Sequence, residues 1–390
     1  SNGTLDTTFD PNANNAVSVL TMNTHSVYVA WAFTTIGWYT RNRIARIWLV
    51  PSMCAWTSWC SLWLKADAGV TTGLWISAWR SQGAHDITWT QTTWSWQPSY
   101  LTDEINFNPM VRFDGSDDGL VVTNRDGFLD DDNAQYVVFK TTASNWTITA
   151  LATTTWFSAT SCERWVGLSG WKLTTVLGGE RITSTSVVNT NVPNLVSWSY
   201  GTWSAQSISL GGKLDVTWTA WRPTVTTDIN MLVWKATVSC LSWGVFSGSI
   251  AEIITFNRRL STAEELSVEG YLALKYGIQI DQSTPTDYTI AGWLIPWSAS
   301  AAGAYTSNVA GIGREDESTL NQVVSQSVYD TWDIIMQFTG ALADDTFMVR
   351  GNDNKSKTGR VETDVAAWYQ RITRERKFEE NYGDIWTVLV

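Results

Sequence analysis

Short β-type runs separated by turn residues recur along most of this 390-residue chain. The runs are rich in Val, Ile, Thr and aromatic residues, and Gly, Asn, Asp and Ser fill the intervals between them. Strands of this length at intervals of roughly 8–12 residues are typical of a sandwich or a propeller. The sequence therefore predicts an all-β chain, with strands over 17–20, 27–30, 136–139, 146–151, 195–200, 250–256 and 347–349.

One segment departs from this pattern. Ser261 and Glu264 have the spacing of a capping box, in which the N-cap hydroxyl accepts the N3 amide and the N3 carboxylate accepts the N-cap amide. Apolar residues then recur at helical spacing, and Gly277 is suited to a left-handed C-cap. The pattern predicts a single amphipathic helix over Thr262–Tyr276.

Charge and hydropathy exclude several classes of partner. The chain carries 37 acidic and 26 basic residues, for a net charge of −11. Nucleic acids and anionic membranes both bind basic surfaces, so neither is an expected partner. Hydrophobic residues make up 44% of the chain, which is enough for real cores, but no apolar run approaches the ~18–20 residues of a membrane helix, so this segment is not expected to insert into a membrane.

Histidine and cysteine usage limits the chemistry further. The two histidines lie far apart in sequence, and the four cysteines include no CxxC pair, so no zinc site is indicated. The cysteines leave three alternatives open, namely free thiols, a Cys54–Cys60 bridge and a Cys162–Cys240 bridge.

Breaks that contain Pro51 and Pro285 divide the chain into parts. The polar opening has no signal peptide, and the chain closes on a strand-like apolar run, so we expect a segment of a longer protein. The expected parts are a repeat fragment over 1–50, a large domain over 60–277 and an incomplete β-rich domain over 278–390.

The runs LDTTFDPNANNAVSVL and VYVAWAFTTIGWYTRNRIARI resemble one blade of a bacterial β-propeller repeat. The match is most specific between Phe33 and Ile47. It departs from the repeat at Trp31 and Trp38, which stand where the family has glycine. The resemblance implies a propeller-type blade over 1–50.

Four runs in the second part carry a longer match: LWLKADAGV, QPSY, INFNPMVRFDGSDDGL and FSGSIAEIITFNRRLSTAEELSVEGYLALKYGI. Through them, residues 60–277 resemble a concanavalin-A/laminin-G-like jelly roll of bacterial surface proteins. The resemblance implies a jelly roll with one α-helix. Its ligand would bind at the loop rim or on the concave sheet face.

The third part contains DQSTPTDYTIAG, NVAGIGREDESTLNQVVSQSV, FMVRGNDN and YQRITRERKFEE. These runs are similar to a β-rich, sandwich-like domain that follows such jelly rolls in very large surface proteins of Bacteroidota. The resemblance implies an extracellular, cell-surface location in an adhesin, with links to type IX secretion and gliding. Expected partners are further domains of the same chain and the outer-membrane secretion or motility machinery.

Tryptophan is the unusual residue, with 26 Trp against 12 Tyr and 12 Phe. Trp79, Trp89, Trp94 and Trp96 cluster in sequence, and exposed aromatic rings stack on sugars, so one interpretation is an aromatic platform. The other interpretation assigns no binding role to any single Trp, because Trp31 and Trp38 stand at positions where the propeller repeat needs the backbone freedom of glycine. The functional prediction therefore rests on the motif runs.

No enzyme is predicted. Glycosidases need paired carboxylates on one face of a cleft, and the E-x-D-x-x-E strand pattern of retaining enzymes with this fold is absent from the sequence. The Glu-Asp-Glu run at 315–317 is interpreted as a solvated turn, and the Asp run at 130–132 as an exposed turn.

Calcium is the one candidate cofactor. Hard cations prefer several oxygen ligands, and Asp114, Asp117 and Asp118 lie in one short run between strands. The run does not follow EF-hand spacing, and a tight turn built from Asp and Gly is the alternative. Residues 130–132 are a second candidate loop, and 352–354 is interpreted first as a turn.

These observations predict a non-catalytic segment of an exported cell-surface adhesin or structural surface protein, whose jelly roll binds a glycan or protein ligand. One alternative is a carbohydrate-binding module of a secreted polysaccharide-degrading enzyme. Another is a subunit of a surface filament.

Overall fold

The computed structural model describes residues 19–22, 26–30, 35–36, 39–40, 44–48, 60–71, 73–83, 87–125, 132–152, 162–177, 180–201, 205–219, 229–233, 246–329, 335–354 and 385–389. The chain divides into two compact units, Ser1–Met53 and Cys54–Val390. Within the described ranges, no helix has the length and apolar character needed to cross a membrane.

The first unit contains short antiparallel strands. They are β1 (Val19–Met22), β2 (Ser26–Ala30), β3 (Thr35–Ile36), β4 (Tyr39–Thr40) and β5 (Ile44–Trp48). Strands β1, β2 and β5 form one sheet in that order, and β3 pairs with β4. The predicted strands at 17–20 and 27–30 correspond to β1 and β2. The propeller assignment itself stays a prediction.

The second unit begins with sixteen strands and no intervening α-helix among its described residues. They are β6 (Cys60–Lys65), β7 (Ala78–Arg80), β8 (Thr88–Thr90), β9 (Ser99–Ile105), β10 (Asn108–Asp114), β11 (Leu120–Arg125), β12 (Asn133–Thr141), β13 (Asn145–Ala152), β14 (Cys162–Ser169), β15 (Lys172–Leu177), β16 (Glu180–Thr183), β17 (Asn194–Tyr200), β18 (Ala205–Leu210), β19 (Lys213–Thr219), β20 (Ile229–Val233) and β21 (Ser247–Phe256).

These strands form two eight-stranded antiparallel sheets. The middle sheet has the order β19-β18-β17-β12-β21-β10-β9, and β6 also pairs with β21. The outer sheet has the order β16-β15-β14-β13-β20-β11-β8-β7. The predicted all-β, sandwich-like fold is therefore confirmed.

Side-chain alternation along β12 shows how the layers are built. Val137 and Phe139 belong to the core between the two sheets. Ala134, Tyr136 and Val138 belong to a second core on the opposite face of the middle sheet. Because neighbouring residues of a strand point to opposite faces, a strand with both sets apolar must be covered on both sides.

Helix α1 (Thr262–Tyr276), the one long helix among the described residues, supplies the third layer. Its Val268, Tyr271 and Leu272 are fully buried in the second core. The helix begins and ends where the sequence predicts: Ser261 and Glu264 form the capping box, and Gly277 adopts a left-handed conformation with φ of 61°. Local capping chemistry alone therefore determined both ends.

The cap gives a first testable prediction. The Glu264 carboxylate accepts the Ser261 backbone amide at 2.8 Å and also pairs with Arg258. We expect Ser261→Ala to lower the free energy of unfolding by about 1 kcal/mol, since it removes the hydroxyl that accepts the Glu264 amide. Urea unfolding measures this change. Ser261→Asn should retain most of the stability, because its side chain can both accept the Glu264 amide and donate to the Glu264 carboxylate. An Ala variant as stable as the wild type would contradict the role of the cap.

The C-terminal part packs on the same helix. It contains the short helix α2 (Ala299–Ala302) and the strands β22 (Ser307–Glu315), β23 (Leu320–Gln322), β24 (Val324–Ser325), β25 (Met336–Gln337), β26 (Thr346–Asn352) and β27 (Ile385–Leu389). The C-terminal sheet has the order β23-β22-β26-β27. Tyr288, Trp297, Val309 and Phe347 share the core that holds α1, so the helix is buried between two β layers.

The structure shows the oxidation state of one cysteine. Cys60, the first residue of β6, takes part in a disulfide bond. The free-thiol alternative is therefore wrong for Cys60.

Candidate functional site

An exposed apolar cluster lies on two loops of the sandwich. Leu74, Trp75 and Trp94 are 83%, 45% and 69% exposed to solvent. We call these three residues the aromatic patch. The indole rings of Trp75 and Trp94 meet edge to face, with centroids 6.0 Å apart. Exposed aromatic surface is costly to hydrate, and contiguous patches of this kind mark binding sites.

Backbone hydrogen bonds hold the two loops together. The Ile76 amide donates to the Pro98 carbonyl at 2.8 Å, and the Tyr100 amide donates to the Leu74 carbonyl at 3.4 Å. The side-chain amide of Gln97 donates to the Gln91 carbonyl at 2.9 Å. These contacts fix the loop that carries Leu74 and Trp75 against the segment that follows Trp94.

A row of polar residues continues from the aromatic patch across the middle sheet. Trp75 is bridged to Ser99, Ser99 pairs with Arg112, Arg112 pairs with Ser249, and Ser249 pairs with Lys140. Directly paired residues share a sheet face. Arg112 is exposed and lies between two residues of the inter-sheet core, so this row is on the face away from the outer sheet.

The four predicted platform tryptophans do not form one surface. Trp79 and Trp89 pair across β7 and β8, and both are fully buried in the core between the sheets. Only Trp94 is mostly exposed, and its partner is Trp75, which is not one of the four predicted platform residues. A Leu-Trp pair directly after a glycine, in a run without strand alternation, is the signal that indicates an exposed loop there.

The acidic turn, residues 114–118, lies next to the aromatic patch. The Gly119 amide donates to the Trp96 carbonyl at 2.9 Å, and the Gln91 side chain donates to the Gly119 carbonyl at 2.9 Å. Trp96 closes the 3-10 turn that begins at Trp94. The structure therefore brings the predicted calcium loop and an exposed tryptophan into one hydrogen-bonded assembly.

Three carboxylates of the acidic turn face each other. Asp114, Asp117 and Asp118 each offer an oxygen within 4.8 Å of the others. Asp114 Oδ1 accepts the Ser116 amide at 2.7 Å, and Asp118 Oδ2 accepts the Asp114 amide at 2.8 Å. Burial, together with the charges of Asp114 and Asp117, raises the pKa of Asp118 to about 7. The arrangement accounts for the tight turn and presents oxygen ligands suited to Ca²⁺.

The other acidic runs have different outcomes. The prediction of a solvated turn at 315–317 is wrong for Glu315 and Glu317, which are 1% and 5% exposed. Glu315 caps its own hairpin by accepting the amides of Glu317 and Ser318 at 2.6 and 2.7 Å. Burial raises its pKa to about 7. Most of the run at 130–132 lies outside the described residues.

The side chain of Asn352 accepts the amide two residues further on, which is the contact of an Asx turn and agrees with the interpretation of 352–354 as a turn. Asn352 ends strand β26 and is buried, and its side-chain carbonyl accepts hydrogen bonds from Asn308 Nδ2 at 3.1 Å and from the Asn354 amide at 3.0 Å. These contacts assign it to structure rather than to ligand binding.

Two of the grooves in the described part of the chain border the middle sheet. The larger, of about 490 Å³, lies between the sandwich and the start of the C-terminal part, and its polar lining includes Lys213 and Asp281, an ion pair at 3.7 Å. The smaller, of about 320 Å³, lies between α1 and strands β17 to β19 and is lined by several serines. Glu269 lies in the smaller groove, where burial and then the charge of Glu265 raise its pKa to about 8.

One protein family matches the C-terminal part of the chain in sequence. Residues 264–390 match a family described as a domain of unknown function (DUF8202). This match begins inside helix α1 and covers the whole C-terminal part. No curated protein matches the chain in sequence.

Several solved structures are similar to part of this chain. The binding domain of Paraclostridial Mosquitocidal Protein 1 is 7% identical with a TM-score of 0.41, over 55% of this chain and 52% of that one. Domain 4 of AbnA, an extracellular GH43 arabinanase from Geobacillus stearothermophilus, is 13% identical with a TM-score of 0.38, over 53% and 96%. The CBM40 of a Ruminococcus gnavus sialidase is 13% identical with a TM-score of 0.35, over 41% and 96%. The alignment spans about half of the first of these chains.

Proposed function

We propose that this chain is a non-catalytic, glycan-binding segment of an exported cell-surface adhesin. The observation that carries the proposal is the aromatic patch, in which Trp75 and Trp94 are exposed side by side on loops held together by hydrogen bonds. A sugar ring presents an apolar face of C–H groups that covers indole surface, and the hydrophobic gain is about 25 cal/mol per Å² of apolar area removed from water.

Polar groups beside the aromatic patch supply the hydrogen bonds that a sugar requires. Ser99 and Arg112 follow Trp75 along the same row of the middle sheet. A hydroxyl and a guanidinium both donate to sugar oxygens, and the guanidinium presents several donors in a fixed plane. An apolar wall with a few convergent polar groups is the usual composition of a specific binding site.

Calcium binding by the acidic turn is a second element of the proposal. Asp114, Asp117 and Asp118 would hold the ion. Calcium takes six to eight oxygen ligands, so backbone carbonyls, water or sugar hydroxyls would complete the shell. Because the turn is hydrogen-bonded to the loop of Trp96, the ion would order the loop that carries Trp94.

Glycan binding is tested by array screening followed by calorimetry with the full chain, in buffers containing Ca²⁺ or EDTA. We expect the double variant W75A/W94A to lose at least about tenfold in affinity, which corresponds to about 1.4 kcal/mol. Trp218→Ala is the matched control, because Trp218 is 52% exposed on β19 and lies outside the patch. The bound glycan should be recovered uncleaved.

The outcomes are distinguishable. A wild-type chain that binds no glycan in either buffer would contradict the proposed function. A double variant that binds like the wild type would place the site elsewhere on the chain. Equal binding in Ca²⁺ and EDTA, with Asp117→Asn unchanged, would remove calcium from the proposal and leave the aromatic patch in place.

A further inference from the structure

Four charged side chains converge beneath helix α1. Lys275 comes from the last turn of the helix, Glu252 from β21, Lys65 from the end of β6, and Asp67 from the segment that follows β6. The side chains of Lys275 and Glu252 are 3% and 1% exposed, whereas that of Asp67 is 32% exposed. Two ammonium and two carboxylate groups therefore share one largely buried site.

One amine nitrogen lies against two carboxylates. Lys275 Nζ is 2.8 Å from Glu252 Oε2 and 3.1 Å from Asp67 Oδ1. Lys65 Nζ is 3.9 Å from Asp67 Oδ2, on the other oxygen of the same carboxyl group, and donates to Thr319 Oγ1 at 2.7 Å. A nucleophilic nitrogen, an acyl carbon and a second carboxylate are thus held within contact distance by three different elements.

The two carboxylates differ in how firmly they are held. Glu252 accepts hydrogen bonds from Trp63 Nε1, from Tyr276 OH at 2.6 Å and from Tyr271 OH at 3.4 Å, in addition to the lysine. These aromatic side chains enclose it completely. Asp67 faces solvent on one side, which offers a route for a small leaving molecule. The contacts assign Glu252 to proton transfer and Asp67 to acylation.

We propose that Lys275 and Asp67 form an intramolecular amide, an isopeptide bond between Lys275 Nζ and the side-chain carboxyl carbon of Asp67, with Glu252 carrying the protons. The Lys275 ammonium gives a proton to Glu252, and the amine lone pair attacks the Asp67 carbon. The C–N bond forms and one C–O bond breaks. Two of the three ammonium protons leave on that oxygen as water, and the third stays on the amide nitrogen. No oxidant, reductant or cofactor is needed.

Against the effect of burial, Glu252 and Asp67 raise the pKa of Lys275, and the two lysines lower the pKa of Asp67, so the reaction starts from an ion pair. Charges are costly in a dry site, and condensation replaces one ammonium and one carboxylate by a neutral amide. Lys65 and Glu252 remain, so the cluster still balances one positive against one negative group. During attack, the Lys65 ammonium beside Oδ2 stabilises the negative charge that develops on the Asp67 oxygen. Burial and the charge of Lys275 lower the pKa of Lys65 to about 8, as expected where two cations are crowded.

The bond would join distant parts of the sandwich. Asp67 and Lys275 are 208 residues apart, so the cross-link closes a loop that contains nearly all strands of both sheets. A cross-link of this kind lowers the conformational entropy of the unfolded chain. It also prevents β6 from separating from α1 when the chain is under mechanical force. Such a cross-link would increase the mechanical stability of an adhesin segment that is stretched between its N- and C-terminal ends.

Mass spectrometry of the reduced full chain tests the bond directly. We expect the intact mass to fall short of the sequence mass by one water molecule. A protease digest should contain a branched peptide that joins the segments around Asp67 and Lys275. This measurement needs no variant and does not depend on glycan binding. A wild-type chain at its full sequence mass, with no branched peptide, would overturn the proposal.

Variants assign the roles. Lys275→Arg and Glu252→Gln should both restore the full mass, the first by removing the nucleophile and the second by removing the proton carrier. Lys213→Arg is the matched control, because Lys213 pairs with Asp281 outside this site and its replacement should keep the loss of water. If the branched peptide contains Lys65 instead of Lys275, the assignment to Lys275 is wrong. Circular dichroism confirms that each variant compared is folded.

Discussion

Replacing Gly270 by alanine is expected to destabilise this protein strongly, although alanine is the better helix former. A Cβ atom at Gly270 would lie 1.9 Å from the Thr289 carbonyl oxygen and 2.9 Å from the Thr289 amide nitrogen. Both contacts are with backbone, so no side chain can rotate away. Helix propensity favours Ala over Gly by about 1 kcal/mol, but the C-terminal part would have to move off α1, which costs about 3 kcal/mol or more.

Urea unfolding of Gly270→Ala measures the effect. Gly73→Ala is the control, because a Cβ atom at Gly73 has its nearest neighbour at 3.5 Å and should change stability by less than about 0.5 kcal/mol. The unfolding transition should shift for Gly270→Ala and stay in place for Gly73→Ala. If both variants are as stable as the wild type, the close backbone approach between α1 and Thr289 does not exist.

The second large effect is a loss of stability as the pH rises from about 4.5 to about 8. Burial raises the pKa of Glu269 to about 8 in the folded chain, against 4.5 for the ordinary side chain. Between these values the folded state binds more protons than the unfolded state, so the free energy of unfolding falls with increasing pH. At about 1.36 kcal/mol per pKa unit, Glu269 contributes a decrease on the order of 5 kcal/mol.

Other side chains titrate within the range of pH 4.5 to 8 or outside it. Asp118 and Glu315, both with pKa values raised to about 7, add to the decrease. Glu264 has its pKa lowered to about 2, with the Arg258 and Ser261 contacts favouring its charged form, so its contribution is lost only as the pH falls below 4.5. Lys65 has its pKa lowered to about 8, so its contribution makes stability rise again between pH 8 and 10.5.

Urea unfolding at several pH values between 4.5 and 8 tests this prediction. Glu269→Gln should flatten the dependence, because it removes the titrating group and keeps a polar side chain. Glu104→Gln removes a carboxylate that pairs with Lys140 at the surface of the sandwich, and should keep the slope. Stability that rises across this window in the wild type would contradict the buried position of Glu269.

Local sequence signals predicted the secondary structure well. The capping box of Ser261 and Glu264 and the C-cap at Gly277 bounded α1 because capping depends on residues within one turn. Gly211 and Gly212 adopt positive φ in the hairpin turn between β18 and β19, a conformation that glycine favours. Such signals involve only neighbours in the chain.

Exposure was harder to predict from the sequence. Trp89 and Trp94 are five positions apart, yet Trp89 is fully buried and Trp94 is 69% exposed. The run at 315–317 has the composition of a surface turn, but Glu315 and Glu317 are buried. Which side of a strand or turn is covered depends on the element that packs against it, and composition does not contain that information.

By itself, the sequence determined that this is an antiparallel β protein with one long helix, because strand periodicity, turns and helix caps are local properties. Tertiary structure alone decided that Trp75 meets Trp94, and that Lys275 meets Glu252 and an aspartate 208 residues away. The charged contacts arise because both faces of the middle sheet are largely apolar and must be buried, and covering its second face with α1 brings distant charged groups into one site. The Trp75–Trp94 contact arises because backbone hydrogen bonds hold their two loops together.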